Sequence, residues 1–203
     1  MARRSDHSRD ELTELMLASA RRFAEKEGLN GIAARRVARD VGYTPGTIYN
    51  IFGSLDGLIV RLRADTLDEL YERSSGIPLD AEPAENLRRL ASAYTDYVLQ
   101  HPKLWSVIFE HRPPGPSTPD WYREKVLRLM ALVARAIAPL FEAGEERARM
   151  HEARVLWSSL HGIVWLEATS KIGSGESVES LYNSLIDNYI YALAERRRRI
   201  RSE

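Results

Sequence analysis

Apolar residues recur at helical spacing along almost the whole 203-residue chain, with no convincing period-two alternation. Amphipathic helices must bury their stripes against one another, so the expected fold is all-α, with about nine helices. Leu12, Leu15, Met16, Ala20, Phe23 and Ala24 form the first stripe, and Gly28 offers its stop. Ile32, Val37, Ala38 and Val41 form a shorter second stripe that ends at Gly42. A short helix over 45–52 follows. Ser54 then reads as the N-cap of a long helix to about Ser74, with Asp56 placed to favour its dipole. Gly76-Ile77-Pro78 breaks the pattern and marks the expected domain boundary. Further helices are expected over 84–100, 104–110, 120–142, 146–171 and 178–198, with Pro139 kinking or ending the third early. Between the second and third, Arg112 to Pro119 reads as a stiff loop, in which Thr118 and Pro119 form a cap-then-proline start.

The stretch Thr44-Pro-Gly-Thr-Ile-Tyr-Asn-Ile-Phe52 is the most informative. A helix this short has little stability of its own and must be held by neighbours. Thr44 stands at an N-cap position, and Pro45 at the first helical position, where its missing N–H costs nothing. Thr47, Tyr49 and Asn50 put polar groups on this short segment. A helix, a turn and a short polar helix in that order suggest a device for entering the DNA major groove.

Composition narrows the remaining classes. Apolar residues make up 44% and charged residues 29%, a globular profile, and no apolar run approaches membrane-spanning length. Zero cysteines exclude disulfides, thiolate metal sites and cysteine nucleophiles, and fit a cytoplasmic setting. The first seven residues have no apolar core of the kind a secretory signal needs. Net charge is zero, but residues 1–63 hold eleven basic side chains against eight acidic ones. Arg196 to Arg199, with Arg201, form a second basic cluster, readable as a helix end complementing the macrodipole or as a phosphate-binding arm. Glycine-rich phosphate loops, metal-ligand spacings and nucleophile motifs do not appear, so neither an enzyme nor a cofactor or metal is expected.

Phe23, Gly28, Ile32, Val37-Ala38, Val41-Gly42, Gly46-Thr47-Ile48-Tyr49, Phe52, Ser54 and Leu58, at these spacings, resemble the tetracycline-repressor-like (TetR/AcrR) family of bacterial transcriptional regulators. Trp157-Ser-Ser-Leu-His161-Gly162 resembles a Trp-His-Gly signature of one group of its C-terminal domains. The resemblance implies a helix-turn-helix head over 1–53, a connecting helix over 54–75, and an effector-binding and dimerisation domain over 76–203. It implies DNA contacts from Arg35, Thr44, Pro45, Gly46, Thr47, Tyr49, Asn50 and Ser54. Hydroxyls and helix N-terminal amides suit phosphates, asparagine can pair with adenine, and Gly46 admits close backbone approach. Two positions depart from the family pattern: Ile51 replaces the usual His, and Leu55 replaces a phosphate-binding Lys. Tyr49 and Phe52 are each expected to serve core and readout together, Phe52 mainly the core.

Aromatic residues concentrate in the second half, where all four tryptophans lie. They either fill a helical core or ring an apolar effector pocket between helices. The candidate ligand residues are Tyr94, Tyr97, Trp105, Phe109, Trp121, Met130, Trp157 and His161, with His111 as a further polar group. His161 shares a helical face with Trp157 and Trp165, and reads either as a packing histidine or as a ligand contact. The helix over 146–171 is apolar around most of its circumference, and the last helix carries a wide apolar stripe. Together they suggest a homodimer through Leu160, Val164, Leu181, Leu185 and Tyr189. The partners expected are therefore a double-stranded operator, a small hydrophobic effector and a second copy of the chain, with no membrane. An activator, or a constitutive regulator without an effector, remains the alternative.

Overall fold

The computed structural model describes residues 7–80, 82–113, 119–171 and 175–202. Among these there are nine α-helices and no strand, so the all-α expectation holds. They are α1 (Arg9–Glu27), α2 (Ala34–Asp40), α3 (Pro45–Phe52), α4 (Leu55–Ser75), α5 (Pro83–Gln100), α6 (Pro102–Glu110), α7 (Asp120–Ala136), α8 (Glu146–Ala168) and α9 (Val178–Ser202). Short 3-10 turns over Gly28–Gly31 and Ala138–Leu140 complete the set.

Local chemistry accounts for the boundaries. Ser8 and Glu11 form a reciprocal capping box at the start of α1, and Gly28 ends the helix at φ +65°. Gly42, at φ +82°, turns the chain from α2 towards α3. Ser54 caps α4 by accepting the Gly57 N–H at 2.9 Å. Pro139 stops α7, which ends at Ala136 and passes into a 3-10 turn. Pro119 occupies the N-cap position of α7, while Thr118 lies outside the described residues.

The chain forms two compact units. One takes the chain up to Thr66 and then 101 onward through α6; the other takes 67–100 and everything from Pro119 on. The division differs from the expected boundary at Gly76 in two respects. It falls inside α4, and it returns α6 to the unit of the N-terminal helices. The cause is packing: Leu104 and Val107 of α6 join Met16, Ala20, Val37, Ile48 and Leu58 in one core. Leu15, placed by its spacing in the α1 stripe, is instead exposed.

The second unit has its own core, in which Leu87, Leu90 and Ala91 of α5 meet Leu132 and Ala136 of α7, Leu156 of α8, and Tyr182 and Ile186 of α9. Ion pairs join its helices: Arg88 with Asp187, and both Lys125 and Arg128 with Asp68. No helix among the described residues is long and apolar enough to cross a membrane.

Candidate nucleic-acid interface

α3 is an eight-residue helix held by one fully buried side chain, Ile48. Ile51, Phe52 and Leu55 pack against the same core from its edge, as Tyr43 does from the turn. The departures at 51 and 55 thus have a structural basis, since both side chains contribute to the head core. Phe52 serves the core, as expected.

The opposite face is open. Tyr49 is 52% exposed, Gly46 and Asn50 are exposed, and Thr47 is half-buried. Among the described residues, the side chains of Thr47, Tyr49 and Asn50 have no hydrogen-bond partner within the chain. Thr44 occupies the N-cap position with extended backbone, but its side chain makes no capping hydrogen bond. Pro45 sits at the first helical position. A Cβ on Gly46 would meet only the Thr44 hydroxyl, at 3.7 Å, so nothing inside the chain requires glycine there. Arg35 is exposed on α2, and Ser54 is committed to capping α4.

Two supports of α3 have no signature in local sequence. Arg9 donates to the Asn50 carbonyl at 3.4 Å, across 41 residues, and His7 Nδ1 lies 2.9 Å from the Tyr43 hydroxyl. Elsewhere in the head, Arg21, Arg22 and Arg36 are tied to carboxylates. Arg36 forks onto Glu27 and stacks 4.3 Å above the Phe23 ring, and its hydrogen bonds hold the Glu27 carboxyl below its usual pKa. Asp40 accepts from Ser19 and Arg22, which lower its pKa in that order.

The candidate effector residues fall in both units. Trp105 and Phe109 belong to α6 in the first unit, their rings edge to face at 5.7 Å. His111, also in that unit, sets Nε2 2.8 Å from Asp56 and Nδ1 3.3 Å from Arg63, a tie between the end of α6 and the start of α4. Its polar atoms serve the fold rather than a ligand.

In the second unit, Tyr94, Trp157 and His161 do come together. The Tyr94 hydroxyl lies 2.6 Å from His161 Nδ1, and the His161 ring stacks on Trp157 at 5.2 Å and 11°. Trp165 flanks the histidine at 6.0 Å. Burial pushes the His161 pKa down. Tyr97 is fully buried and donates to Glu69 at 3.1 Å, with Arg73 5.0 Å above its ring. Met130 is buried in α7, and Trp121 is exposed beside Tyr122.

Of the residues assigned to a dimer seam, Val164 is fully buried within its own unit and has no surface to offer a partner. Its place on α8 faces inward, a distinction that an all-round apolar helix conceals. Leu160 and Tyr189 pack against the unit's core, and Leu181 and Leu185 are half-buried. The Tyr189 hydroxyl bonds Glu152, and burial together with that carboxylate pushes its pKa up to about 12. The terminal arginines are likewise engaged. Arg196 and Arg197 pair with Glu152 and Glu145 of the α8 end, and Arg198 pairs with Glu195.

The family signature described as a tetracyclin repressor-like C-terminal domain matches residues 87–189, just over half of the chain. The chain belongs to the tetracycline-repressor-like (TetR) family. It is thus a TetR-family transcriptional regulator, a kind of protein that is not an enzyme. An HTH-type transcriptional regulator of Mycobacterium tuberculosis, Rv0681, is 26% identical over 169 residues, spanning 83% of this chain and 74% of its own length. YobS, an HTH-type transcriptional regulator of Bacillus subtilis, is 24% identical over 178 residues, spanning 86% of this chain and 89% of its own. BioQ, solved with its natural double-stranded DNA operator, shares the fold at a TM-score of 0.66 and 17% identity, over 90% of this chain and 98% of BioQ. A Rhodococcus sp. RHA1 protein of unknown function reaches a TM-score of 0.74 at 20% identity, over 95% of this chain and all of its own.

Proposed function

We propose that this TetR-family regulator represses transcription by inserting α3 into the major groove of a pseudo-palindromic operator. The supporting observation is the open face of α3, where Tyr49, Asn50 and Thr47 surround Gly46 and have no partner within the chain. Side chains with no internal role on a pinned helix fit readout of base edges and phosphates. Arg35 and Thr44 extend the same surface, while Ser54, already capping α4, adds position more than contact.

Two copies joined through exposed parts of α8 and α9 present two such helices about one duplex turn apart, roughly 34 Å. Val155, Leu166 and Tyr191 are exposed on these helices, with Leu181 and Leu185 half-exposed, and an apolar surface of that kind suits a second copy. A small, mainly apolar effector held near Tyr94, Trp157 and His161 releases the operator if it prefers the head spacing that DNA does not. The transmitter in this reading is α4, which belongs partly to each unit.

One observation favours a regulator of this fold without an effector. The polar groups of Tyr94, Tyr97 and His161 already bond within the chain. A thermal-shift screen separates the two readings: a stabilising apolar ligand supports an effector, and stabilisation by highly polar ligands alone contradicts an apolar one. For the head, Tyr49→Ala is expected to abolish operator binding in a gel-shift assay while the protein stays folded. Unimpaired binding by that variant would overturn the assignment of α3.

A further inference from the structure

We propose that Arg39 is a phosphate-binding residue of the head, acting with Arg35 from one face of α2. The proposal rests on the DNA-binding reading above. It begins with how the head uses its cations. Arg21 pairs with Glu25, Arg22 with Asp40, and Arg36 with Glu27, while Arg63 bonds His111 and Arg9 bonds the Asn50 carbonyl. Arg35 and Arg39 are different, as is the exposed Lys26 of α1. Both arginines are exposed, and among the described residues neither has an ion pair or side-chain hydrogen bond within the chain.

Their placement is specific. The two arginines stand four residues apart on a helix of seven, so they share one face a single turn apart. The other face carries Val37 and Ala38, both fully buried. Like charges at this spacing oppose each other, and α2 has no side-chain N-cap to offset that repulsion. The one carboxylate on the helix, Asp40, is held by Ser19 and Arg22 and leaves its neighbour Arg39 uncompensated. The Arg39 carbonyl accepts from Gly42 N–H at 3.1 Å, which sets the residue at the turn leading into α3. Position 55 supplies no cation, because Leu55 packs against the core. A cation in the last turn of a helix also complements the macrodipole, a role that acts on stability and not on salt dependence.

That difference defines the test. Arg39→Gln and Arg36→Gln remove the same formal charge from the same helix, one from an open side chain and one from an ion pair. Binding of the full-length protein to a duplex it selects from a random library is followed by fluorescence anisotropy between 50 and 200 mM salt. For Arg39→Gln the slope of log K against log salt is expected to shrink by about one, so that the wild-type advantage falls about 3.5-fold across that range. Arg39→Lys is expected to restore the slope, and Arg36→Gln to leave it unchanged while lowering the melting temperature. An unchanged slope for Arg39→Gln, or equal losses for both glutamine variants, overturns the proposal while leaving the DNA-binding reading in place. Failure of the wild type to bind any selected duplex overturns both.

Discussion

On α3, Tyr49 and Asn50 stand exposed around a single buried anchor, Ile48; on α8, Trp157 and His161 are turned upon each other and upon Tyr94. The arginines repeat the contrast. Arg35 and Arg39 of the head are open, whereas Arg196, Arg197 and Arg198 at the end of the chain each meet a carboxylate. A run of four arginines looks like the stronger nucleic-acid signal in the sequence, yet three of its members are neutralised internally. Charge available to a partner is what remains after the chain has satisfied itself. By that measure α3 offers its polar groups outward, while Tyr94 and His161 keep theirs within the body.

Three substitutions test the contrast, in falling order of effect. Ile48→Ala removes the one anchor of α3 and should destabilise the protein by about 2–4 kcal/mol, read from denaturant unfolding. A loss under about 1 kcal/mol would mean that the edge contacts of Ile51, Phe52 and Leu55 hold the helix instead. Tyr94→Phe should cost about 1 kcal/mol, because His161 Nδ1 loses this hydrogen-bond partner in a half-buried site. No measurable change would show that the pair is not satisfied internally and would weaken the contrast.

The smallest effect is one of pH. Burial lowers the His161 pKa in the folded protein below its ordinary value near 6.5. As pH falls through that value the unfolded chain takes up a proton that the folded chain refuses. The contribution is therefore complete above about pH 6.5 and is lost as pH falls towards the folded value. The effect is modest, since the ring is only partly buried. His161→Asn should flatten the melting temperature between pH 7 and about 5.5 relative to wild type. An identical slope in the variant would assign the pH response to other groups.

Much of the head could be read directly from residues 8–58. The Ser54 cap, a proline at the first helical position and glycines at turns act within a few residues, so their chemistry shows in local sequence, whereas Thr44 makes no capping hydrogen bond. The exposed Tyr49 and the inward Phe52 both follow from helical spacing around Ile48. The division into units was hidden for the opposite reason. Gly76-Ile77-Pro78 interrupts the chain, but an interruption does not say which core a helix face joins. α6 is apolar enough to suit either unit, and its Leu104 and Val107 are committed to the head. The same holds for His111, whose partners Asp56 and Arg63 lie 55 and 48 residues away. Val164 shows a further limit: a helix apolar on most sides does not reveal which residues face inward and which remain for a partner.

In the proposed complex α3 is one of a symmetric pair of reading helices. Major-groove protection of guanine N7 along the duplex that the full-length protein selects addresses this directly. The account predicts two protected stretches centred about one duplex turn apart, roughly 10 base pairs, both absent for Tyr49→Ala at equal protein concentration. A protection pattern that Tyr49→Ala leaves unaltered, or a single protected stretch, would contradict it.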